Sequence, residues 1–557
     1  MKKYKLYLPI ILLACTVGFT SCSSNDAMTE LNTDPSKAAT IDANAQLTTA
    51  ELQLYGDLDA SATVRSYLYA FTQQLMGCWN TTNYGGRHTQ DDNEMGHIWR
   101  DLYPHAVRDL VDAENRTHND KSKLNINAAL RVYRAYIMSI LTDIYGDVPY
   151  FQAGQGYIKM NPTPKFDKQK DIYTDLFAQL DTAQAQFAVG TDKITGDLIY
   201  SGNVSKWQKL VNSLRMRWAM RISDAAPDQA KKEFIKAVND ANGYMTTTDD
   251  DALIKYISGK FSFGSDAYND YRMNRMSQLL FGNDPSNNPS FMCSTFFNEL
   301  KNSGDPRTYR ICRFYCDDLM SATMPDNRID LTHEILTQNI TPAPRDPGAY
   351  AWEPWPTGYT SDTLTILKKK NNLIDPSRAY NVEPKIATNF LQPDNPGTVM
   401  TSAEVKFLMA EAQVKGWNVS AETAEQLYDE GVRLSMDYLS KNYGCAPVSD
   451  AELQAFLSKN DFGHTAEKQK ESINTQAWIL HFTNPYEGWA NLRRSGYPKL
   501  KSPADYGFTM INGHDIPVRL CYPVLESSYN KANYEDAVSR QPGGVDSWNN
   551  RVWWDVK

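Results

Sequence analysis

The sequence predicts a mainly α protein whose helices pair into hairpins beneath an irregular, loop-rich face. Three observations predict it. Apolar residues recur at three- and four-residue spacing in one stretch of the chain after another. Glycine and proline fall between those stretches, where helices stop. From about residue 225 to 400 the composition shifts toward Asn, Pro, Gly and aromatic residues, and periodic runs become short. That region reads as loops packed on the helical scaffold rather than as a separate, linker-joined domain.

The N-terminus stands apart from this body. Lys2, Lys3 and Lys5 precede an apolar run from Leu6 to Phe19, and Thr20 and Ser21 lead into Cys22, after which the chain turns polar. A basic region, an apolar run and small residues before a cysteine form a secretory leader with a lipid-acceptor site. The run is shorter than the ~20 residues a spanning helix needs. Cys15 is a rival acceptor, but Thr16 to Phe19 continue the apolar run behind it. Cys22 is therefore the expected lipidation site. Residues 1–21 are read as the leader and 22–40 as the acylated cysteine and a flexible tether. One domain, 41–557, is expected to follow, with helical scaffold at about 41–224 and 401–500.

Each scaffold element has its own signature. Residues 126–144 place Ile126, Leu130, Tyr133, Ile137, Ile140, Leu141 and Ile144 on one stripe, and Gly146 and Pro149 end the helix. Residues 167–187 form a second amphipathic helix and complete a hairpin. Over 204–223, Trp207, Leu210, Leu214, Trp218 and Ile222 share a face, while Arg215, Arg217 and Arg221 project from others. Thr401-Ser-Ala-Glu404 has the spacing of a capping box, in which hydroxyl and carboxylate satisfy free amides reciprocally. The helix it starts carries Ala403, Phe407, Ala410 and Val414 and stops at Gly416. Its partner, 422–439, carries Ala424, Leu427, Gly431, Leu434 and Tyr438. Small residues at such contacts resemble tetratricopeptide hairpins, although the full consensus is absent.

Charge and cysteine usage narrow the function classes. Loss of residues 1–21 removes three lysines and no acids, which takes the formal charge from −9 to −12. An acidic chain repels phosphate backbones, so nucleic acid is not an expected partner. Cys78, Cys293, Cys312, Cys316, Cys445 and Cys521 match no zinc spacing and read as buried thiols or one or two opportunistic disulfides. His88, Asp91, Asp92, Glu94 and His97 match no zincin or EF-hand pattern and read as a solvated acidic turn. Asp249, Asp250 and Asp251 read as a turn before a strand-like ALIKYI. A G-x-S-x-G elbow and a phosphate loop are absent from the sequence.

Several stretches, in order and spanning nearly the whole chain after the leader, resemble one family. They are LNTDPSKA after the tether, LTDIYGDVPYFQA at 141–153, VSKWQKLVNSLRMRWAMRISD at 204–224 and GDPR at 304–307. TSAEVKFLMAEAQVKGW at 401–417, YEGWANLRRSGYPKL at 486–500, IPVRLCYPVLESSYNKANYEDA at 516–537 and RVWWD at 551–555 continue the series. The resemblance is to the SusD/RagB outer-membrane lipoproteins, in the SusD-like branch associated with starch-type binding. It implies an α-α superhelix of four tetratricopeptide-like hairpins under an irregular face. It also implies a lipid-anchored position at the outer membrane facing the exterior, a SusC-like TonB-dependent transporter as partner, and capture of oligosaccharide, or in some members peptide, without catalysis. A helical glycoside hydrolase is the remaining alternative, and it would need two carboxylates across a cleft. No cofactor is expected, and calcium is left open. Trp207, Trp218, Trp489, Arg493 and Arg494 belong to the shared motifs and read as core packing and buried ion pairs.

Given a glycan ligand, recognition needs flat aromatic faces for the apolar face of a pyranose and planar polar groups for paired hydroxyls. Residues 78–93 offer Trp79, Asn80, Asn83, Tyr84, Arg87 and Gln90, with Gly85-Gly86 expected to block helix formation. In the relatives an aromatic and polar loop at about this position contributes to ligand contact. Residues 347–362 offer Tyr350, Trp352, Trp355 and Tyr359 among prolines and glycines. Residues 261–275 add Tyr268, Tyr271 and Arg272.

Overall fold

The computed structural model describes residues 41–77, 80–261, 270–281, 290–313, 315–316, 329–330, 385–506 and 510–556. Cys22, Trp79, Tyr268, Tyr350, Trp352, Trp355 and Tyr359 lie outside the described residues. Ala43–Lys557 forms one compact unit.

The unit opens with helices α1 (Ala43–Gly56) and α2 (Leu58–Thr63), strand β1 (Leu75–Gly77), the single turn α3 (Asn80–Asn83), α4 (Asp92–Asp101) and α5 (Arg108–Thr117). Next comes α6 (Leu124–Tyr145), which buries the whole predicted stripe from Ile126 to Ile144. Across β2 (Val148–Pro149), the short α7 (Gly156–Lys159) and β3 (Phe166–Asp167), it packs against α8 (Gln169–Phe187), the first expected hairpin. The second pairs α9 (Val204–Arg221) with α10 (Pro227–Val238).

Helix α10 falls inside the stretch read as loop-rich. Proline at its first turn supplies a pre-set φ, and Ala230, Phe234 and Ala237 make a short buried stripe. Further on, α11 (Arg275–Phe281) and α12 (Ser294–Ser303) are also helical. After β10 (Gly397–Met400) come α13 (Ser402–Val414) and α14 (Ala424–Tyr443), the third hairpin. These two helices cross closely because residue 431 is glycine: a Cβ there would sit 2.6 Å from the Phe407 ring. Helices α15 (Asp450–Lys459), α16 (Ala466–Leu480), α17 (Pro485–Ser495), α18 (Val524–Tyr529) and α19 (Lys531–Ser539) complete the series.

The start of α13 differs from the predicted capping box. Thr401 does accept from the Glu404 amide at 3.2 Å. The Glu404 carboxylate does not return to the Thr401 amide but grips Arg217 through Nε at 2.5 Å and Nη2 at 2.6 Å. A buried guanidinium competes better for a carboxylate than a terminal amide does. The reciprocal box forms instead at Thr423 with Gln426 and at Ser449 with Glu452, both on exposed helix starts.

That Arg217–Glu404 pair belongs to a polar network threaded through the apolar core. Arg221 meets Glu487 at 2.5 and 2.6 Å. Asp143 accepts from Tyr173 Oη at 2.6 Å and from Trp554 Nε1 at 2.8 Å. Arg493 donates to the carbonyls of Asp143 and Val518 and lies over the Trp489 and Trp554 rings at 3.9 and 4.9 Å. Arg494 grips Glu411 through both terminal nitrogens at 2.7 Å. Trp207, Trp218 and Trp489 are thus core residues and Arg494 a buried-pair residue, as expected of the shared motifs, whereas Arg493 is buried but held by carbonyls and rings rather than by an ion pair. The three arginines of α9 do not face solvent: Arg215 is buried between Asp181 and Glu233, and its two neighbours join the network.

Cys293, Cys312 and Cys445 are buried and Cys521 is half-buried, and the thiol reading holds for Cys445 and Cys521. Burial pushes Cys445 and Cys521 up to about 12, which removes thiolate reactivity. Among the described residues no helix is long and apolar enough to cross a membrane.

Among the described residues strands are few and short, and β7 (Tyr315–Cys316) pairs with β8 (Ile329–Asp330) alone. The widest sheet has the order β1-β5-β9-β6, antiparallel throughout, from β5 (Ser290–Met292), β6 (Cys312–Arg313) and β9 (Lys385–Ile386). Its strands border the aromatic stretches: β1 ends two residues before Trp79, and β6 and β9 flank the segment that holds Tyr350 to Tyr359. Strand β4 (Ala252–Ile254), inside ALIKYI, pairs with β10. The aspartates before it are turn residues, but Asp250 and Asp251 are buried, and Asp251 accepts from Ser402 N and Oγ.

Candidate functional site

The described part of the 78–93 stretch is more ordered than a glycine-broken loop. Asn80–Asn83 forms one α turn and Gly85–Arg87 one 3-10 turn. The two glycines serve close packing rather than helix breaking. A Cβ at Gly85 would lie 2.6 Å from Ala70 Cβ and from Ser66 O, and one at Gly86 would lie 2.8 Å from Met76 Sδ. Thr81 Oγ1 donates to Arg65 O at 3.2 Å and holds the first turn on the helix beneath.

His88 closes the segment in the left-handed region, φ 54°. Its ring is buried against Phe71 and Trp548, and its Nδ1 lies 3.1 Å from Gly513 O. Burial lowers its pKa. Ile511 N and Asn512 N donate to the Arg87 and His88 carbonyls, so a second segment pins the same backbone. Tyr84 rests on the buried Tyr67 ring, with centroids 5.9 Å apart. Asn83, Tyr84 and Arg87 end half-buried on this rigid base.

The supposed solvated acidic turn is a helix with a cap. Asp91 accepts from the Glu94 amide at 3.0 Å and starts α4, and Asp92 accepts from Val524 N at 2.7 Å. Helix α4 packs against α2, and both run on into π-helical turns, Leu102–Val107 and Val64–Leu68. Pro104 lies in the first of these, where the wider turn tolerates the missing N–H.

Between the two helices Asp59, His97 and Asp101 bring one ligand-type atom each within 4.8 Å of one another. These are the described residues that could share a metal ion. Arg100 already supplies a cation there, its Nη2 3.0 Å from His97 Nδ1. Burial, with Asp57 and Asp59 adding repulsion, pushes Asp101 up to about 8. The same three carboxylates act on the half-buried Tyr271 phenol, whose pKa is raised chiefly by burial.

Tyr271 and the acids of α2 and α4 therefore share one electrostatic neighbourhood. Tyr84 joins it from the other end, through Glu94 and Asp91. Arg272 is exposed and paired with Asp270 at 2.9 Å. Tyr84 and Tyr271 thus lie near the same helix pair. The sequence pattern points to His97 but to neither Asp101 nor Asp59, because the stretch reads as a turn and so loses the four-residue helical spacing that joins His97 to Asp101.

Two clefts were not anticipated. One of about 340 Å³ lies among α5, α6, α7 and α8 and is lined by Arg131, Arg134, Tyr150, Phe151, Lys159 and Gln179 among others. The other, about 330 Å³, is lined by Lys415, Lys470, Lys499, Glu467, Arg494 and Tyr497 among others.

Comparison with known proteins places these features in context. A family model described as SusD-like, starch-binding and associating with the outer membrane matches residues 35–323 and 358–523. A solved SusD-like protein from Bacteroidetes AC2a is 45% identical, covers 93% of this chain and 100% of its own, and superposes with a TM-score of 0.83. A structure named as a chitin-binding protein is 29% identical over 93% of this chain and 100% of its own, with a TM-score of 0.74. A SusD homolog from Bacteroides uniformis shares the fold at 21% identity, covering 93% of this chain and 100% of its own, with a TM-score of 0.69. None of the curated proteins is significantly similar.

Proposed function

The chain belongs to the SusD-like family, and from that premise we propose that it is a cell-surface lipoprotein that captures oligosaccharides and delivers them to a SusC-like TonB-dependent transporter. The family is described as starch-binding and associating with the outer membrane, which supports a binding role without catalysis for this chain. The family match along most of the chain is the observation that carries the reading. Anchoring through an acylated Cys22, with the body facing the exterior, follows from the leader and its small-residue junction.

The ligand face is assigned to the 78–93, 261–275 and 347–362 stretches. Trp79, Tyr84, Tyr271, Trp352, Trp355 and Tyr359 are the proposed stacking rings, with Tyr268 and Tyr350 beside them. Asn80, Asn83 and Arg87 are the proposed hydroxyl partners. The rigid base under Tyr84 and Arg87 supports this, because a site held by its scaffold loses less entropy on binding. Handing ligand on favours a shallow site of modest affinity.

The test is affinity electrophoresis of the mature protein in gels containing starch, chitin or other polysaccharides. Retarded migration without new reducing ends is the expected result. Release of reducing ends would make the protein a hydrolase. Retention by peptides alone would move the ligand class while keeping the scaffold role. Co-purification of a TonB-dependent barrel with the chain from outer membranes tests the partner.

A further inference from the structure

We propose that the cleft among α5, α6, α7 and α8 is a second saccharide subsite, selective for a sugar unit that carries a carboxylate. This rests on the reading of the chain as a glycan-capture protein, but on residues remote in sequence from those given the ligand face above. The volume of about 340 Å³ falls at the lower end of small-molecule sites.

Its charge is the first argument. Arg131, Arg134 and Lys159 line the cleft against two carboxylates, Glu114 and Asp175, in a chain whose formal charge is −9. Both carboxylates are already engaged. Glu114 serves both arginines, at 3.1 Å to Arg131 Nη1 and 2.7 Å to Arg134 Nε. Asp175 accepts from Tyr150 Oη at 2.7 Å and from Gln179 Nε2 at 2.9 Å. Arg131 also donates to Gln179 Oε1 and to Asn127 Oδ1, while its Nε is buried with no hydrogen-bond partner and burial lowers its pKa; the cleft is left with three cations against two carboxylates. An excess of positive charge in a partly buried cleft favours an incoming anionic group.

Shape is the second argument. Phe151 stands 47% exposed at the cleft, backed edge-on by Tyr150 at 4.9 Å. A flat ring beside cations suits a ligand with an apolar face and an anionic group at its edge. A uronate pyranose has both. Inorganic phosphate has no face for Phe151, and a neutral sugar brings no charge to Arg131 and Lys159.

The experiment titrates the full mature chain by calorimetry with a glucuronate-containing disaccharide, its neutral counterpart and inorganic phosphate. Preference for the uronate of about tenfold over both is expected. Lys159→Gln and Phe151→Ala, at exposed positions, should each weaken it about fivefold with the circular dichroism unchanged. Equal binding of the neutral sugar or of phosphate overturns the proposal, as does indifference to both cleft variants. Neutral glycan binding that depends on Tyr84, with no uronate response, removes the subsite and keeps the ligand face. Failure to bind any saccharide removes the glycan reading itself.

Discussion

Replacing Glu404 with glutamine should destabilise the protein by about 3 kcal/mol at pH 7. Burial alone would raise the Glu404 pKa, but Arg217 and His481 more than offset it and hold the carboxyl at about 2 against an ordinary 4.5. At about 1.4 kcal/mol per pH unit that distance gives the stated magnitude, with no discount for solvent because the side chain is buried. A folded pKa below the unfolded one gives stability that is complete above pH 4.5 and fades as pH falls toward 2. The gap between wild type and Glu404→Gln should therefore narrow over that window. Urea titration followed by tryptophan fluorescence at pH 7 and pH 3 measures it. Replacing both partners, Arg217→Met with Glu404→Met, should cost less than the single change, since no charge is stranded. A gap that is the same at both pH values, or absent at pH 7, would refute the reasoning.

Trp79→Ala and Trp352→Ala should each weaken glycan retention in affinity gels by about tenfold while the melting temperature stays within about 1 °C; loss of folding would make them core residues. Cys22→Ala should leave the protein in the soluble fraction after membrane sedimentation, and continued partition would place the anchor elsewhere. Gly85→Ala should cost about 1–3 kcal/mol by chemical denaturation and displace Tyr84, because the added methyl meets Ala70 and the Ser66 carbonyl. Asp101→Asn should become more stable than wild type as pH rises from 4 to 9. The raised pKa, about 8, makes the native aspartate favourable only while protonated, so its contribution is lost through that range.

Local periodicity made much of the scaffold legible. The stripes of α6, α8, α9, α13 and α14 are each a single-helix property, and they appear where the spacing puts them. Side-chain partners were less legible, because pairing acts across the fold. Glu404 had the spacing of a capping residue, yet its partner Arg217 lies 187 positions earlier. His88 read as solvated because its neighbours are polar, whereas Trp548 and Gly513 cover it from the other end of the chain. Helix α10 was missed because only three residues make its stripe. The cleft at Arg131 draws on four helices, none of which carries a recognisable motif alone. For the ligand face, residue types pointed to candidates, and the shared helix pair beneath Tyr84 and Tyr271 needed the tertiary structure.

The docking of Trp554 has a consequence for the charge balance of the core. Asp143, Arg221, Glu404, Arg493 and Trp554 come from across the whole length of the chain but share one buried network. Without residues 551–555, Arg221 lacks the ring that covers it, Arg493 keeps only the Trp489 ring, and Asp143 lacks an indole donor. Disturbing that contact would leave Asp143 and Arg221 less well covered inside the core. Residues 551–555 thus close a buried polar network assembled from segments hundreds of positions apart, which makes the core's charge balance depend on long-range contacts.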